Sequence, residues 1–295
     1  MNAPVRYAIK QVSTYTYASG VPFARHVVRL APVTRPGVVV ETAEVRISPE
    51  PDERSERRDF FGNATLDIAL ERPHRTLEIA CTAMVSIVPV DPIAAAATPA
   101  WEQVRADVAV TADAGPTAPV HHLFASRLVP VDPLIRAWAA QSFPAGVPVL
   151  AGGLALMARI KKEFTYDPEA TDVTTPTREA FALRRGVCQD FAHVMICGLR
   201  SLGLPAAYVS GYLRTLPPPG KPRLEGADAM HAWVALWCGE AAGWQGLDPT
   251  NDIRAGTDHI VVAIGRDYAD VSPIDGVIIA AGGHSLEVGV DVVER

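Results

Sequence analysis

Cysteine is scarce in this sequence, with four residues in 295 at wide and irregular spacings and no CxxC pair. A disulfide framework and a structural zinc site both need clustered cysteines or cysteine and histidine pairs, so neither is indicated. Runs of lysine or arginine are also missing, and 27 basic against 33 acidic side chains give a net charge of −6. We therefore expect no nucleic-acid partner, because phosphate binding depends on clustered cations.

Long apolar runs are missing as well. The longest uncharged stretch, residues 137–158, is repeatedly interrupted by polar residues, proline and glycine, whereas a membrane-spanning helix needs about 20 mostly apolar residues. Residues 1–10 lack the charged head, apolar centre and small-residue cleavage site of a signal peptide. We therefore expect a cytoplasmic protein without a membrane segment.

The local patterns predict strands first and helices later. Residues 7–17 and 38–47 are rich in Val, Thr, Tyr and Ile with partial alternation, which is typical of antiparallel strands. Asp132 followed by proline favours a helix start, with a short helix over 134–140, and the pattern at 147–164 predicts a longer one.

These patterns divide the chain into three parts. Single cores stop growing at about 250–300 residues, so a chain of this length has room for one or two. We expect an N-terminal β domain at 1–90 and a second, mixed domain with a C-terminal β extension at 131–295. Between them, an alanine run and Pro/Gly turns at 91–130 indicate a linker or long connection.

A cysteine stands at the predicted start of a third helix, over 188–202. Apolar positions there recur with helical spacing: Cys188, Phe191, Ala192, Met195, Leu199 and Leu202. In the first turn, unpaired backbone N–H groups and the helix dipole favour an anion, so a thiol is biased towards the nucleophilic thiolate. The alternative is that Cys188 is one more small residue on the core face.

A histidine and an aspartate follow on two predicted strands. His231 opens the alternating segment HAWVALW, and Asp248 ends a short strand before a proline. The short turn at 238–243 makes these strands neighbours, so the aspartate can accept a hydrogen bond from the imidazole. Taken alone, a histidine in such a strand is more often a core or edge residue, and an Asp-Pro pair more often marks the start of a turn. We assign His193 a surface or packing role. The adjacent histidines His121 and His122 suggest no metal site, because no third ligand is in evident register with them.

Cysteine, histidine and aspartate in this order match the nucleophile, base and orienter of cysteine acyl-transfer enzymes. The motifs around them resemble the bacterial transglutaminase-like family: GVCQDFAH, GLPA, VSGY, HAW and WQGLDPTN. The segments STYTY, VRLAP and FGN look like the β domain that precedes the catalytic core in that family, and GRDYADVSP is similar to its closing segment.

The resemblance implies an α+β fold, in which an N-terminal antiparallel β domain precedes a papain-like, transglutaminase-like core. In that core the nucleophile helix packs on an antiparallel sheet, and the catalytic triad maps onto Cys188, His231 and Asp248. Tyr166 is our candidate for the side-chain oxyanion donor, with Gln189 and Trp233 as further cleft candidates. The chemistry requires no metal and no organic cofactor, and no calcium loop with alternating Asp and Asn is present.

Two enzymatic outcomes share a thioester on Cys188. Attack by water makes the protein a protease or amidase, and attack by an amine makes it a transglutaminase. We favour hydrolysis, because an acyl transferase must exclude water and no motif indicates an amine channel. A third interpretation is a binding module with a vestigial triad. The expected partner is a peptide or protein amide, and a loop at 214–228 is a candidate lid; the oligomeric state stays open.

Overall fold

Strands form the N-terminal part of the chain, as seen in a computed structural model that describes residues 3–215 and 228–295. Inward and outward side chains alternate along the first strand, where Tyr7, Ile9, Gln11 and Ser13 are buried. The expected antiparallel β domain is confirmed. Its strands are β1 (Val5–Val21), β2 (Phe23–Val28), β3 (Val38–Ser48), β4 (Glu53–Arg58), β5 (Ala64–Leu70) and β6 (His74–Ile87).

The segment expected as a connection, residues 91–130, contains regular structure. Helix α1 (Trp101–Ala109) lies between the 3₁₀ turns Ala95–Ala97 and Pro119–His122. Its residues Val104 and Val108 are buried in the larger core of the protein. The composition of this segment indicated a linker, but a short helix gains most of its stability from tertiary packing, here of Val104 and Val108.

Helices and a second set of strands follow. The predicted helices are confirmed to within two residues, and Asp132 caps the first of them by accepting the backbone N–H groups of Leu134 and Ile135. The elements are α2 (Pro133–Ala140), α3 (Val149–Glu163), β7 (Thr165–Tyr166), α4 (Thr177–Leu183), β8 (Arg185–Gly186), α5 (Cys188–Ser201), β9 (Ala206–Leu213), β10 (Ala229–Trp237), β11 (Trp244–Asp248), β12 (Ile253–Arg254), β13 (His259–Gly265), α6 (Tyr268–Val271), β14 (Ile274–Ile279) and β15 (His284–Glu294). The candidate lid at 214–228 falls largely on 216–227, outside the described residues.

Three main sheets organise these strands. The N-terminal strands form two four-stranded sheets, in the orders β15-β1-β6-β3 and β14-β2-β5-β4, so the C-terminal extension returns to the N-terminal domain. The third sheet has the order β12-β11-β10-β9-β13, and α5 packs against β9 and β10. This is the α+β arrangement expected, with the helix of Cys188 on an antiparallel sheet.

The larger hydrophobic core joins the two halves of the chain. It contains residues of helix α5 and of strands β9, β10, β11 and β13, and it also contains Tyr7, Ile9, Val85 and Val290 from the N-terminal sheets. A smaller core lies between the two N-terminal sheets. The sheets that begin and end the chain therefore support the half that carries Cys188.

Gly211 on β9 leaves space for the rings above the central strands. A Cβ atom there would lie 2.2 Å from the carbonyl oxygen of Ile260 and 2.6 Å from Cη2 of Trp233. Because the first of these contacts is with backbone, which cannot rotate away, only glycine fits. The residue opposite Gly211 on β10 is His231, so this glycine bears directly on the candidate site.

We expect Gly211→Ala to lower the free energy of unfolding by about 3 kcal/mol, at the upper end of typical overpacking effects. Urea denaturation of the two proteins measures this difference. Gly289→Ala on β15 is the matched control, because its Cβ would meet no atom within 4 Å, and its effect should stay within about 0.5 kcal/mol. Equal stabilities for the two variants would contradict the packing argument.

Candidate active site

Cys188 is the first residue of helix α5, and its side chain is partly buried. The chain reaches this position through Gly186, whose φ of +152° is rarely adopted by other residues. A Cβ at Gly186 would also lie 2.4 Å from a carboxylate oxygen of Asp190. The glycine before the cysteine therefore permits the tight approach to the helix that the sequence predicts.

Asp190 holds the start of helix α5 in place. Its Oδ2 accepts the backbone N–H of Val187 at 2.8 Å and the hydroxyl of Thr171 at 2.7 Å. Burial raises the pKa of Asp190 above its ordinary value, although both hydrogen bonds act in the opposite direction. No role for this aspartate is predicted from the sequence, although an acidic residue in the first turn is a common capping signal.

Tyr166 lies beside the start of helix α5 because β7 pairs in parallel with β8, which places Tyr166 opposite Gly186. The side chain is 56% exposed, and its ring contacts Phe191 with the centroids 6.5 Å apart. Burial of its inner part and the proximity of Cys188 raise the pKa of the phenol. The structure therefore brings the tyrosine that we selected as oxyanion donor into the neighbourhood of the thiol.

His231 and Asp248 are in direct contact. Strands β10 and β11 pair antiparallel, with Val234 opposite Leu247, as the short turn predicted. Nε2 of His231 lies 2.8 Å from Oδ2 of Asp248, and Cys188 is close enough to the imidazole to raise its pKa. Because Nε2 is used by the aspartate, Nδ1 is the nitrogen left for the thiol.

Asp248 is fully buried and surrounded by donors. Oδ1 accepts the backbone N–H groups of Thr250 and Asn251, and Oδ2 accepts the side-chain amide of Asn251 at 2.8 Å as well as the bond from His231. Burial alone would raise the pKa of this carboxyl group, but the hydrogen bonds from His231, His259 and Asn251 hold it well below the usual range. The carboxylate thus stays charged in a buried position.

The pKa of His231 is raised to about 9. Burial lowers it, but the hydrogen bond to Asp248, the interaction with Cys188 and the charge of Asp248 outweigh burial. Such a histidine holds its proton at neutral pH, which suits it to stabilise a neighbouring thiolate.

This shift predicts a pH-dependent contribution to stability. Because the pKa is higher in the folded state, the contribution of His231 is fully present below about pH 6.5 and is lost as the pH rises through about 9. We expect the difference in unfolding free energy between the native protein and His231→Gln to shrink between these pH values, measured by urea denaturation. A difference that stays constant across this range would contradict the raised pKa.

His259 is a residue that the sequence analysis missed. It begins β13, its side chain is buried, and its Nε2 lies 3.2 Å from Oδ2 of Asp248. Its ring also contacts Trp233, edge to face, with centroids 5.2 Å apart. The one signal available in the sequence was that His259 is the first residue of an apolar strand-like segment, as His231 is in the segment HAWVALW.

The two further cleft candidates are both buried. The side-chain amide of Gln189 donates to the carbonyl of Val173 at 3.2 Å. Trp233 is 2% exposed, and its ring stacks on His231 with centroids 6.2 Å apart. Gln189 therefore ties down the preceding loop and Trp233 supports the imidazole from one face; a role in the cleft for either stays a prediction.

The other cysteines and His193 are packing residues in the structure. Burial raises the pKa of Cys81 to about 11 and those of Cys197 and Cys238 to about 12. His193 is buried, so the surface alternative for it is wrong, and its Nε2 accepts the backbone N–H of Tyr268. Burial lowers its pKa to about 4, so it is neutral at pH 7.

His231, Asp248 and His259 are close enough together to be considered as metal ligands, with one potential ligand atom from each within 4.8 Å of the others. However, Nδ1 of His259 accepts the backbone N–H of Gly256 at 3.3 Å. The proton of the neutral ring is therefore on Nε2, the atom that faces Asp248. Binding a metal through Nε2 would require the ring proton on Nδ1, where it would point at the N–H of Gly256. The arrangement therefore favours a hydrogen bond from Nε2 to Asp248 over metal binding.

The fold is an α+β core in which Cys188, at a helix start, lies near His231 and Asp248 of the adjacent sheet. The chain belongs to the transglutaminase-like superfamily. Residues 140–249 match that superfamily, and residues 7–86 match the bacterial transglutaminase-like N-terminal region. These two matches confirm the resemblance seen in the motifs and support a cysteine-dependent enzyme.

Relatives of similar length occur in mycobacteria. Uncharacterized proteins of Mycobacterium tuberculosis and Mycobacterium bovis are 38% identical over 296 residues, covering 97% of this chain and 90% of theirs. A protein-glutamine gamma-glutamyltransferase of Pseudomonas aeruginosa is 35% identical over 107 residues, 34% of this chain and 16% of that protein.

A solved structure has the same fold. The crystal structure of a Cytophaga hutchinsonii protein, described as a candidate cysteine protease, superimposes with a TM-score of 0.78. The alignment covers 99% of this chain and 91% of the other at 21% identity.

Within residues 3–215 and 228–295, none of the helices has the length and apolar character that crossing a membrane requires.

Proposed function

We propose that this protein is a cysteine hydrolase that cleaves an amide bond in a peptide or protein. The observation that carries the proposal is the hydrogen bond of His231 to the buried carboxylate of Asp248, together with the nearness of Cys188, which raises the pKa of the same imidazole. In this proposal Cys188 is the nucleophile, His231 the acid and base, and Asp248 the residue that orients the imidazole.

The first half of the reaction forms a thioester. The thiolate of Cys188 attacks the carbonyl carbon of the amide, and the carbon–nitrogen bond breaks as Nδ1 of His231 gives its proton to the departing amine. In the second half, water attacks the thioester and gives a proton to the now neutral Nδ1. The carbon–sulfur bond then breaks, which releases the acid and restores the thiolate. Proton transfers of this kind contribute roughly 10²–10⁴ to the rate.

The negative oxygen formed in both halves needs donors. The backbone N–H of Cys188, at the start of α5, is one of the N–H groups that a helix leaves unpaired. The hydroxyl of Tyr166 is our second donor, supported by the pairing of Tyr166 with Gly186 and by the electrostatic influence of Cys188 on its pKa.

Hydrolysis is favoured over amine transfer because Cys188 is only partly buried and Tyr166 is more than half exposed, which leaves the thioester open to water. The Cytophaga hutchinsonii protein of the same fold is itself described as a candidate cysteine protease. Amine transfer is the second candidate, and the aligned segment of the Pseudomonas aeruginosa protein-glutamine gamma-glutamyltransferase supports it.

The deciding experiment offers both acceptors at once. The protein is incubated with a library of glutaminyl peptides and a labelled primary amine, and mass spectrometry measures cleaved or deamidated products against amine adducts. We expect acid products in excess, and none with Cys188→Ala. Amine adducts in excess would overturn hydrolysis in favour of transfer.

A further inference from the structure

His259 supplies a hydrogen bond to Asp248 that the mechanism above does not use. Its Nε2 is 3.2 Å from Oδ2 of Asp248, the same oxygen that faces His231. The N–H of Gly256, donated to Nδ1, keeps the ring proton on Nε2. The bond therefore runs from the ring of His259 to the carboxylate.

The other donors to Asp248, apart from His231, are local. Thr250 and Asn251 lie two and three residues after it, in the turn that begins at Asp248, so they move with that turn. His259 instead comes from β13, at the opposite edge of the five-stranded sheet from the short strand β12 that follows the turn. It thus ties the carboxylate to a separate element.

The surroundings hold the ring of His259 in one position. Trp233 contacts it edge to face, and the missing side chain at Gly211 leaves the space that the indole needs. The titratable groups that face this cluster are Cys188 from α5 and His231 from β10. The neighbouring Asp258 is engaged elsewhere, by Tyr7 and Arg214.

We propose that His259 is a positioning residue, which holds Oδ2 of Asp248 in the orientation that His231 requires. This inference rests on the proposed function, since it assigns a role at the same site. Without the donor, Asp248 turns with its local loop, its bond to His231 weakens, and His231 releases its proton more readily.

Three substitutions separate hydrogen bonding from packing. His259→Phe keeps a ring against Trp233 but removes the donor. His259→Asn puts an amide nitrogen near the place of Nδ1, too short to reach Asp248, whereas the amide of His259→Gln reaches the place of Nε2. Urea denaturation identifies the variants that fold, and the Asn variant replaces the Phe variant if the latter does not.

The main readout is the pKa of His231, followed by NMR of the imidazole. We expect it to fall by about one unit in the Phe and Asn variants, because a turned Asp248 binds the imidazolium less strongly, and to stay near the native value in the Gln variant. An unchanged or higher pKa in the donor-free variants would overturn the positioning role. The positioning role would also be overturned if the pKa of His231 in the Gln variant were as low as in the donor-free variants.

A second readout tests the proposed function separately. The rate at which iodoacetamide alkylates Cys188 is measured against pH in the native protein and in the same variants. We expect Cys188 of the native protein to react faster at neutral pH than an ordinary surface thiol, and to lose about tenfold in rate without the donor. A native Cys188 with an ordinary thiol profile would contradict the proposed function, while the NMR titration would still decide the role of His259.

Discussion

Replacing Cys188 by alanine is expected to lower amide hydrolysis by about 10⁶-fold, the size of effect seen when the nucleophile of a triad is removed. The reason is that no other thiol in the described residues is available: Cys81, Cys197 and Cys238 are buried, with pKa values raised to about 11 or 12. The measurement is the turnover of a peptide substrate found with the library, together with labelling of the protein by iodoacetamide.

Cys197→Ala is the matched control for this prediction. Cys197 is on the same helix, but its Sγ lies against the carbonyl of Pro130, at 3.1 Å, away from the solvent. Its removal should leave turnover and rapid labelling in place. If Cys188 reacts no faster than an ordinary surface thiol and Cys188→Ala changes no activity, the binding-module alternative is the correct one.

Replacing Asp248 by asparagine is expected to lower turnover by about 10⁴-fold, as loss of the orienting carboxylate does in related triads. An amide nitrogen in place of one oxygen would face the N–H donors of Thr250, Asn251 or the two histidines. The imidazole of His231 then loses both its orientation and the charge that raises its pKa. Turnover against pH is the measurement, and the basic limb should move down from about pH 9.

Asp252→Asn is the control, because Asp252 is exposed, four residues further on, in the same turn. Its φ of +57° is one that asparagine also adopts readily, so the backbone should not change. Turnover within about twofold of the native value is expected. A similar loss in both variants would mean that the turn, and not the carboxylate, is responsible.

Local patterns predicted much of the fold. The apolar spacing of α5, the Asp-Pro start of α2 and the alternation in β1 each depend on residues a few positions apart, and each element lies where it was expected. The helix at 101–109 was not predicted, because its order comes from contacts of Val104 and Val108 with a distant core. The return of β14 and β15 to the N-terminal sheets is likewise a long-range pairing that local pattern does not encode.

The candidate site divides in the same way. Residue types and their order along the chain were enough to select Cys188, His231 and Asp248, from their positions at a helix start and two strand ends. The contact of His259 with the same carboxylate oxygen, and the burial of Gln189 and Trp233, became visible only in the folded chain. This is because strand order and burial arise from packing between segments far apart in the chain, whereas helix starts and strand ends are set by neighbouring residues.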